Sequence, residues 1–150
     1  MDQIDRKIIR ELQANGRLTN QDLAWRIGLS PSPCLRRVRV LEEEGFITGY
    51  TALVDQAKCG VPINVFVKVK MKESSEASMK KFEKGVQDSD EILECYLMTG
   101  NQDYLLHVVS ASLGSYERFM RETLTRLPGV ASIDSSFAYG RVKSRSIFPL

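Results

Sequence analysis

The stretch "LSPSPCLRRVRVLEEEG", residues 29–45, sets three arginines behind two prolines and ahead of three glutamates. Arginine suits phosphate and base edges because its planar guanidinium stays charged and donates hydrogen bonds in a fixed fork. What these arginines can do depends on whether the backbone gathers them on one face. The apolar residues recur at helical spacing, Ser30 is an N-cap, and Pro31 falls at N1, where a missing N–H costs nothing. Pro33 still lies among the first positions that lack a helical acceptor. At about 100° per residue, Cys34, Val38 and Leu41 form a core face with Leu35 at its edge. Ser32, Arg36, Arg39 and Val40 fall opposite, Pro33 adjoins them and Arg37 lies on a flank. The helix start adds a positive dipole end and N–H groups suited to phosphate. A bland reading stands beside this one. Arg39 and Glu43 are an i, i+4 pair, and a charge run is usually a solvated face.

The elements around this helix favour the first reading. "DQIDRKIIRELQANG" places Ile4, Ile8, Ile9 and Leu12 on one stripe, with Asp2 as a cap and Asn15-Gly16 as a stop. In "RLTNQDLAWRIGLS", Thr19 with Asp22 resembles a capping box, Leu23, Ala24 and Ile27 turn inward, and Gly28 ends the helix. Trp25 is expected to pack against the first helix or the linker. Three short helices with a tight turn before the third, followed by the β-rich "FITGYTALVD", make a winged helix-turn-helix pattern. There the third helix enters the major groove and its first residues meet base edges. Arg17, Thr19, Asn20 and Gln21, before and at the second helix, are placed to touch backbone phosphate. The expected division is a DNA-binding domain over 1–50, a β-strand linker over 51–61 and a second domain over 62–150.

The second domain changes character. "INVFVKVKMK" alternates as a strand with one wet face, and "SSEASMKKFEKGVQ" is a helix with Ala77, Met79, Phe82 and Val86 inward. "EILECYLMTG" and "QDYLLHVVSA" are strands. "SLGSYERFMRETLTRL" is a helix burying Leu113, Tyr116, Phe119, Met120, Leu124 and Leu127. "GVASIDSSFAYG" is a last strand before a basic tail that has room for another short one. The order βαββαβ is a ferredoxin-like arrangement, so the fold class is α+β. Two helices cover one face of such a sheet, and the other face predicts a homo-oligomer.

Composition bounds the rest. The formal net charge is +2, and residues 1–55 hold eight Lys/Arg and eight Asp/Glu, so any basic signal is local. Cys34, Cys59 and Cys95 are odd in number and far apart, which argues against disulfides and zinc and for buried thiols. No apolar run reaches the roughly 20 residues of a membrane span, and the charged start has no secretory h-region. The expected compartment is the cytoplasm. One histidine, His107 on a strand face, no nucleophile paired with a base, no P-loop and no metal spacing leave no catalytic constellation. No cofactor is expected.

The residues "DRKIIRELQANGRLTNQDLAWRIGLSPSPCLRRVRVLEEEGFITGYTALVD" resemble the N-terminal half of the Lrp/AsnC family of transcription regulators. "ECYLMTGNQDYLLHV" and "LPGVASIDSSFA" resemble its C-terminal regulatory domain. The resemblance implies a winged helix-turn-helix, a β linker and a ferredoxin-like effector domain. It also implies double-stranded DNA as partner, dimers that in many members stack into an octamer, and an amino acid bound between neighbouring dimers. Ser32, Pro33, Cys34, Arg36, Arg37 and Arg39 match the recognition helix, although Cys34 faces the core. The loop "MTGNQDY", with Thr99, Gly100, Asp103 and Tyr104, matches the effector loop, and Ser135 and Ser136 a strand of the same cleft. On that assignment Asp103 holds the ligand ammonium, N–H groups around Gly100 meet the carboxylate, and Leu97 meets the side chain. The alternative for the loop is a plain hairpin turn capped by Asp103. The rival for the whole chain is an effector-independent architectural protein that wraps DNA.

Overall fold

A computed structural model describes residues 1–144 and 147–150 and divides them into two units. The first comprises Met1–Leu53 with Val142–Leu150, the second Val54–Arg141. The tail therefore joins the first unit rather than the second, where the sequence places it. Phe148 donates its N–H to Gln13 Oε1 at 3.2 Å, and Leu150 packs against the helical core. The short strand expected in the tail falls partly on residues 145 and 146, outside the described residues.

Helix α1 (Gln3–Ala14) begins in a capping box: the Asp2 carboxylate accepts the N–H of Ile4 and Asp5, and Asp5 accepts the N–H of Asp2. Helix α2 (Asn20–Ile27) is capped by Thr19 and stops at Gly28, whose φ of +75° is the left-handed closure that glycine adopts at least cost. Helix α3 (Pro31–Glu43) follows after three residues. Their apolar stripes meet in one core of Ile8, Ile9, Leu23, Ala24, Ile27, Cys34 and Leu41. Trp25 is not part of it. It is 83% exposed, on the side of α2 opposite Leu23, Ala24 and Ile27. Residues 46–62 contain no paired strand, so the wing and the expected β linker are extended or turning backbone without a ladder partner.

The second unit carries β1 (Ile63–Met71), α4 (Glu76–Gln87), β2 (Ile92–Leu97), β3 (Tyr104–Ser110), α5 (Leu113–Glu122) and β4 (Val130–Phe137). The strand order is β2-β3-β1-β4, antiparallel throughout, which is the ferredoxin-like topology. Val65, Val67 and Val69 alternate with Phe66 and Lys68 along β1. The valines join Phe82, Val86, Tyr104, Leu106, Val108, Tyr116 and Phe119 in the core beneath the helices. Ala77 and Leu113, expected inward, lie in the first turns of α4 and α5 and are exposed. Of the cysteines only Cys34 is buried. Cys59 lies in the turn after Asp55 and Cys95 on the edge strand β2, both exposed.

The register sorts the other face. Glu94 and Tyr96 of β2, Leu105 and His107 of β3, Phe66 and Lys68 of β1, and Asp134 and Ser136 of β4 share it, with no helix over them. Phe66 stacks on the His107 ring at 4.9 Å, and His107 Nε2 lies 2.8 Å from Asn64 Oδ1. Phe66 and Tyr96 remain 41% and 50% exposed.

Candidate nucleic-acid interface and effector site

Cys34 and Leu41 anchor α3 in its core, and Arg37 ties its flank to α1. The Arg37 guanidinium donates to Asp2 at 2.8 Å and to Asp5 at 2.7 Å. Asn20 ties the start of α2 to the start of α3, donating Nδ2–H to the Pro31 carbonyl at 2.8 Å. Thr19 gives its hydroxyl to Asp22 at 2.6 Å and accepts the Asp22 N–H. Arg37, expected on the DNA-reading helix, and Asn20 and Thr19, expected at phosphate, thus each make bonds within the helical unit. Arg37 and Asn20 tie α3 to α1 and α2, and Thr19 caps α2, while the buried Asn20 Oδ1 keeps no hydrogen-bond partner among the described residues.

Ser32, Arg36 and Arg39 are exposed on the outer face of α3, with Pro33 half-buried beside them. Among the described residues neither Arg36 nor Arg39 makes an ion pair. Arg17 is exposed in the turn before α2. Pro31 and Pro33 lack an N–H, and Cys34 gives its own to the Ser30 carbonyl at 3.3 Å. Ser32 alone of the first three helical residues keeps a backbone donor at the helix end, while Arg36 and Arg39 keep their full charge on the outer face. The glutamates stand at the far end of α3, where Glu42 accepts the Tyr50 hydroxyl at 2.9 Å.

The second candidate site is the loop from Met98 to Asp103. Met98 donates its N–H to the Asp103 carbonyl at 2.8 Å, closing the turn. Thr99 is exposed, and Gly100 has φ +112° with open space where a Cβ would stand. The backbone conformation, rather than a close approach, is what calls for glycine there. Asp103 is already occupied. Its carboxylate accepts the Met71 N–H at 2.8 Å and pairs with Lys70 Nζ at 3.2 Å. The Met71 bond first, and Lys70 after it, hold its pKa below the ordinary carboxylate range. The ammonium role expected of Asp103 therefore competes with a role in closing the sheet end.

That bond predicts a separable result. Asp103→Ala leaves the Met71 N–H without its acceptor and should cost about 1–3 kcal/mol, while Asp103→Asn keeps an acceptor and costs less. A depressed pKa contributes stability that is complete above the unfolded value of about 3.9 and is lost as pH falls through the folded one. The gap between wild type and Asp103→Asn should accordingly narrow between pH 7 and pH 3 in urea titrations. An unchanged gap would refute the charge contribution.

The remaining effector candidates do not converge in one chain. Ser135 and Ser136 lie on the edge strand β4, three strand spacings or about 14 Å from Leu97 on β2 and two spacings or about 9–10 Å from Tyr104 on β3. Ser135 turns to the helix side, its hydroxyl 2.5 Å from that of Tyr116, whereas Ser136 pairs with Phe66 in register and faces the open side. Tyr104 is buried against Phe82, at 4.6 Å between ring centroids, and gives its hydroxyl to Glu83 at 2.7 Å. Glu83 and Gln87 were not singled out by the sequence. The available signal was their i, i+4 spacing beside the inward residues Phe82 and Val86.

Residues 1–48 match a winged helix-turn-helix DNA-binding family, and residues 64–148 match the Lrp/AsnC ligand binding domain. The chain is 44% identical over 150 residues to the Bkd operon transcriptional regulator of Pseudomonas aeruginosa, covering all of this chain and 98% of that protein. It is 45% identical over 130 residues to the leucine-responsive regulatory protein of Escherichia coli, covering 87% and 79% respectively. Among solved structures, a transcriptional regulator of Neisseria meningitidis in complex with L-methionine has a TM-score of 0.94 at 35% identity, covering 99% and 96% of the two chains. An AsnC family transcriptional regulator of Agrobacterium tumefaciens has a TM-score of 0.94 at 36% identity, covering 99% and 97%.

Proposed function

We propose a mechanism for a chain that belongs to the Lrp/AsnC family of transcription regulators: its helical unit reads an operator, and its sheet unit tunes that reading by binding an amino acid and joining copies of the chain. The chain is a DNA-binding regulator and not an enzyme. The observation that carries the mechanism is the outward row of Ser32, Arg36 and Arg39 on a helix held by Cys34, Leu41, Arg37 and the Asn20–Pro31 bond. Arg36 reads a base edge in the major groove, Arg39 and Arg17 meet phosphate, and the exposed Ser32 N–H and hydroxyl add a contact at the groove wall. Such a protein works where the chromosome is, in the cytoplasm, and no helix among the described residues is long and apolar enough to cross a membrane.

The uncovered sheet face, with Phe66, Tyr96 and Leu105 on it, is the surface through which two copies pair. Further stacking of dimers, up to the octamer, brings the loop of one copy to the β4 edge of another. That would explain why Gly100 and Ser136 do not meet within one chain. An amino acid in that cleft then acts as an assembly ligand. The ligand-binding match over the second unit and the L-methionine complex of the Neisseria relative support this reading over an effector-independent wrapping protein.

A thermal-shift screen against the free amino acids tests the effector. A true effector at 100 times its Kd should add about 2.7 kcal/mol and raise Tm visibly. A flat panel at millimolar concentrations would overturn the effector role and leave operator binding standing.

A further inference from the structure

Between α4 and strand β2 the sheet unit has a hollow of about 250 Å³ lined by Glu83, Val86, Gln87, Cys95, Leu97 and Tyr104. This is smaller than the roughly 300–1,000 Å³ that holds a drug-sized ligand, and suits a molecule the size of an amino acid. Its walls are apolar on three sides: Val86 from α4, Leu97 from β2 and the Tyr104 ring from β3. Beside the Cys95 thiol and the Tyr104 hydroxyl, its polar groups are the Glu83 carboxylate and the Gln87 amide, one turn apart on α4. No lysine or arginine lines it.

Glu83 is half-buried and spends one oxygen, Oε1, on the Tyr104 hydroxyl. Among the described residues its Oε2 has no hydrogen-bond partner. The negative charge is felt by its neighbours. The Cys95 thiol, on a residue with exposed surface but lining the hollow, is pushed up to about 11 by desolvation first and by Glu83 second, and the Tyr104 hydroxyl is raised by burial and then by Glu83. A carboxylate with a free oxygen, in an apolar recess without a cation, attracts a positively charged donor. Leu97 is 64% exposed at the mouth, at the base of the Met98–Asp103 loop.

We propose that this hollow is an ammonium site: Glu83 and Gln87 take the ammonium group of a small aliphatic amine, and Val86, Leu97 and Tyr104 enclose its apolar chain. The inference rests on the reading that the chain binds an amino acid. It moves the anchoring acid from Asp103, which Met71 and Lys70 already occupy, to Glu83. Because no cation lines the hollow, the ligand's carboxylate must point out of it, and the amine is the half that this chain recognises on its own.

Isothermal titration calorimetry of the full chain with L-leucine, L-leucinamide and 4-methylpentanoate separates the possibilities. Leucinamide, which keeps the amine and lacks the acid, should bind; 4-methylpentanoate, which keeps the acid and lacks the amine, should not. Glu83→Gln keeps an acceptor for Tyr104 but removes the charge, and should weaken leucine and leucinamide by about tenfold or more, as loss of a charge-assisted bond does. Leu97→Lys, at an exposed position that tolerates the change, should weaken leucinamide by placing a like charge at the mouth. Unchanged affinity in both variants, or binding of 4-methylpentanoate with none of leucinamide, overturns the proposal. If leucine fails to bind the wild type, the effector reading has failed at that ligand. Leucinamide then decides the hollow alone: binding lost in Glu83→Gln supports it, and no binding refutes it.

Discussion

Arg36→Ala should leave the protein folded and remove most of its preference for an operator over random DNA. Arg36 is exposed and has no ion pair among the described residues, so its loss should change stability by no more than about 0.5 kcal/mol. A bidentate contact to guanine contributes about 1–3 kcal/mol of discrimination, which is roughly 5- to 150-fold per half-site. A dimer reading two half-sites loses it twice. The neighbouring arginines provide the controls. Arg39→Ala should weaken operator and random DNA together and reduce the salt slope by about 0.9 for each lost phosphate contact. Arg37→Ala should act through the fold, because Asp2 and Asp5 lose their shared partner and the angle of α3 to α1 relaxes. Competition binding at two salt concentrations distinguishes the three. An operator-to-random ratio unchanged in Arg36→Ala would remove that residue from base readout.

Helical periodicity was enough to separate Cys34 and Leu41 from Ser32, Arg36 and Arg39, because burial on a short helix follows the wheel. It was not enough for Arg37 or Asn20. Their side chains reach other helices, and a wheel for one helix has no information on what lies across the interface. Trp25 shows the opposite failure. Its size suggested packing, yet its position on α2 points away from both neighbours, and position outweighs size. In the second unit, alternation along "INVFVKVK" correctly gave β1 a buried and an open face. The effector residues were harder. "TGNQDY" is legible as a turn with Gly100 at its left-handed position, but whether Asp103 bonds a ligand or the Met71 N–H depends on a strand 32 residues earlier. The loop and the β4 serines were expected in one cleft, and the strand order, invisible in a local pattern, puts them at opposite edges. Glu83 had only its i, i+4 spacing to Gln87 beside the inward Phe82 and Val86 as a local signal. Only the fold brings it under Tyr104.

Phe82→Ala should unfold the sheet unit at conditions where the helical unit survives. Phe82 is fully buried on α4, in a core that includes Val65, Val67, Tyr104 and Leu106, with its ring 4.6 Å from that of Tyr104. Truncating such a ring typically costs about 3–5 kcal/mol, the transfer term plus the cavity left behind. A domain of this size is stabilised by only about 5–15 kcal/mol, so the variant sits near its threshold. The helical unit has a separate core of Ile8, Leu23, Ala24, Ile27, Cys34 and Leu41, which contains no residue of the sheet unit. Two transitions should therefore replace one in a urea melt followed by circular dichroism, the earlier one carrying loss of strand signal. Assembly should fail with that first transition, since the proposed pairing surface is the far side of the same sheet. DNA affinity should fall with it, not because a DNA contact is lost but because two half-site readers are no longer held together. Joining the helical units through an independent dimer should restore operator binding in Phe82→Ala without restoring any response to amino acids. If it restores both, the sheet unit is not the seat of sensing.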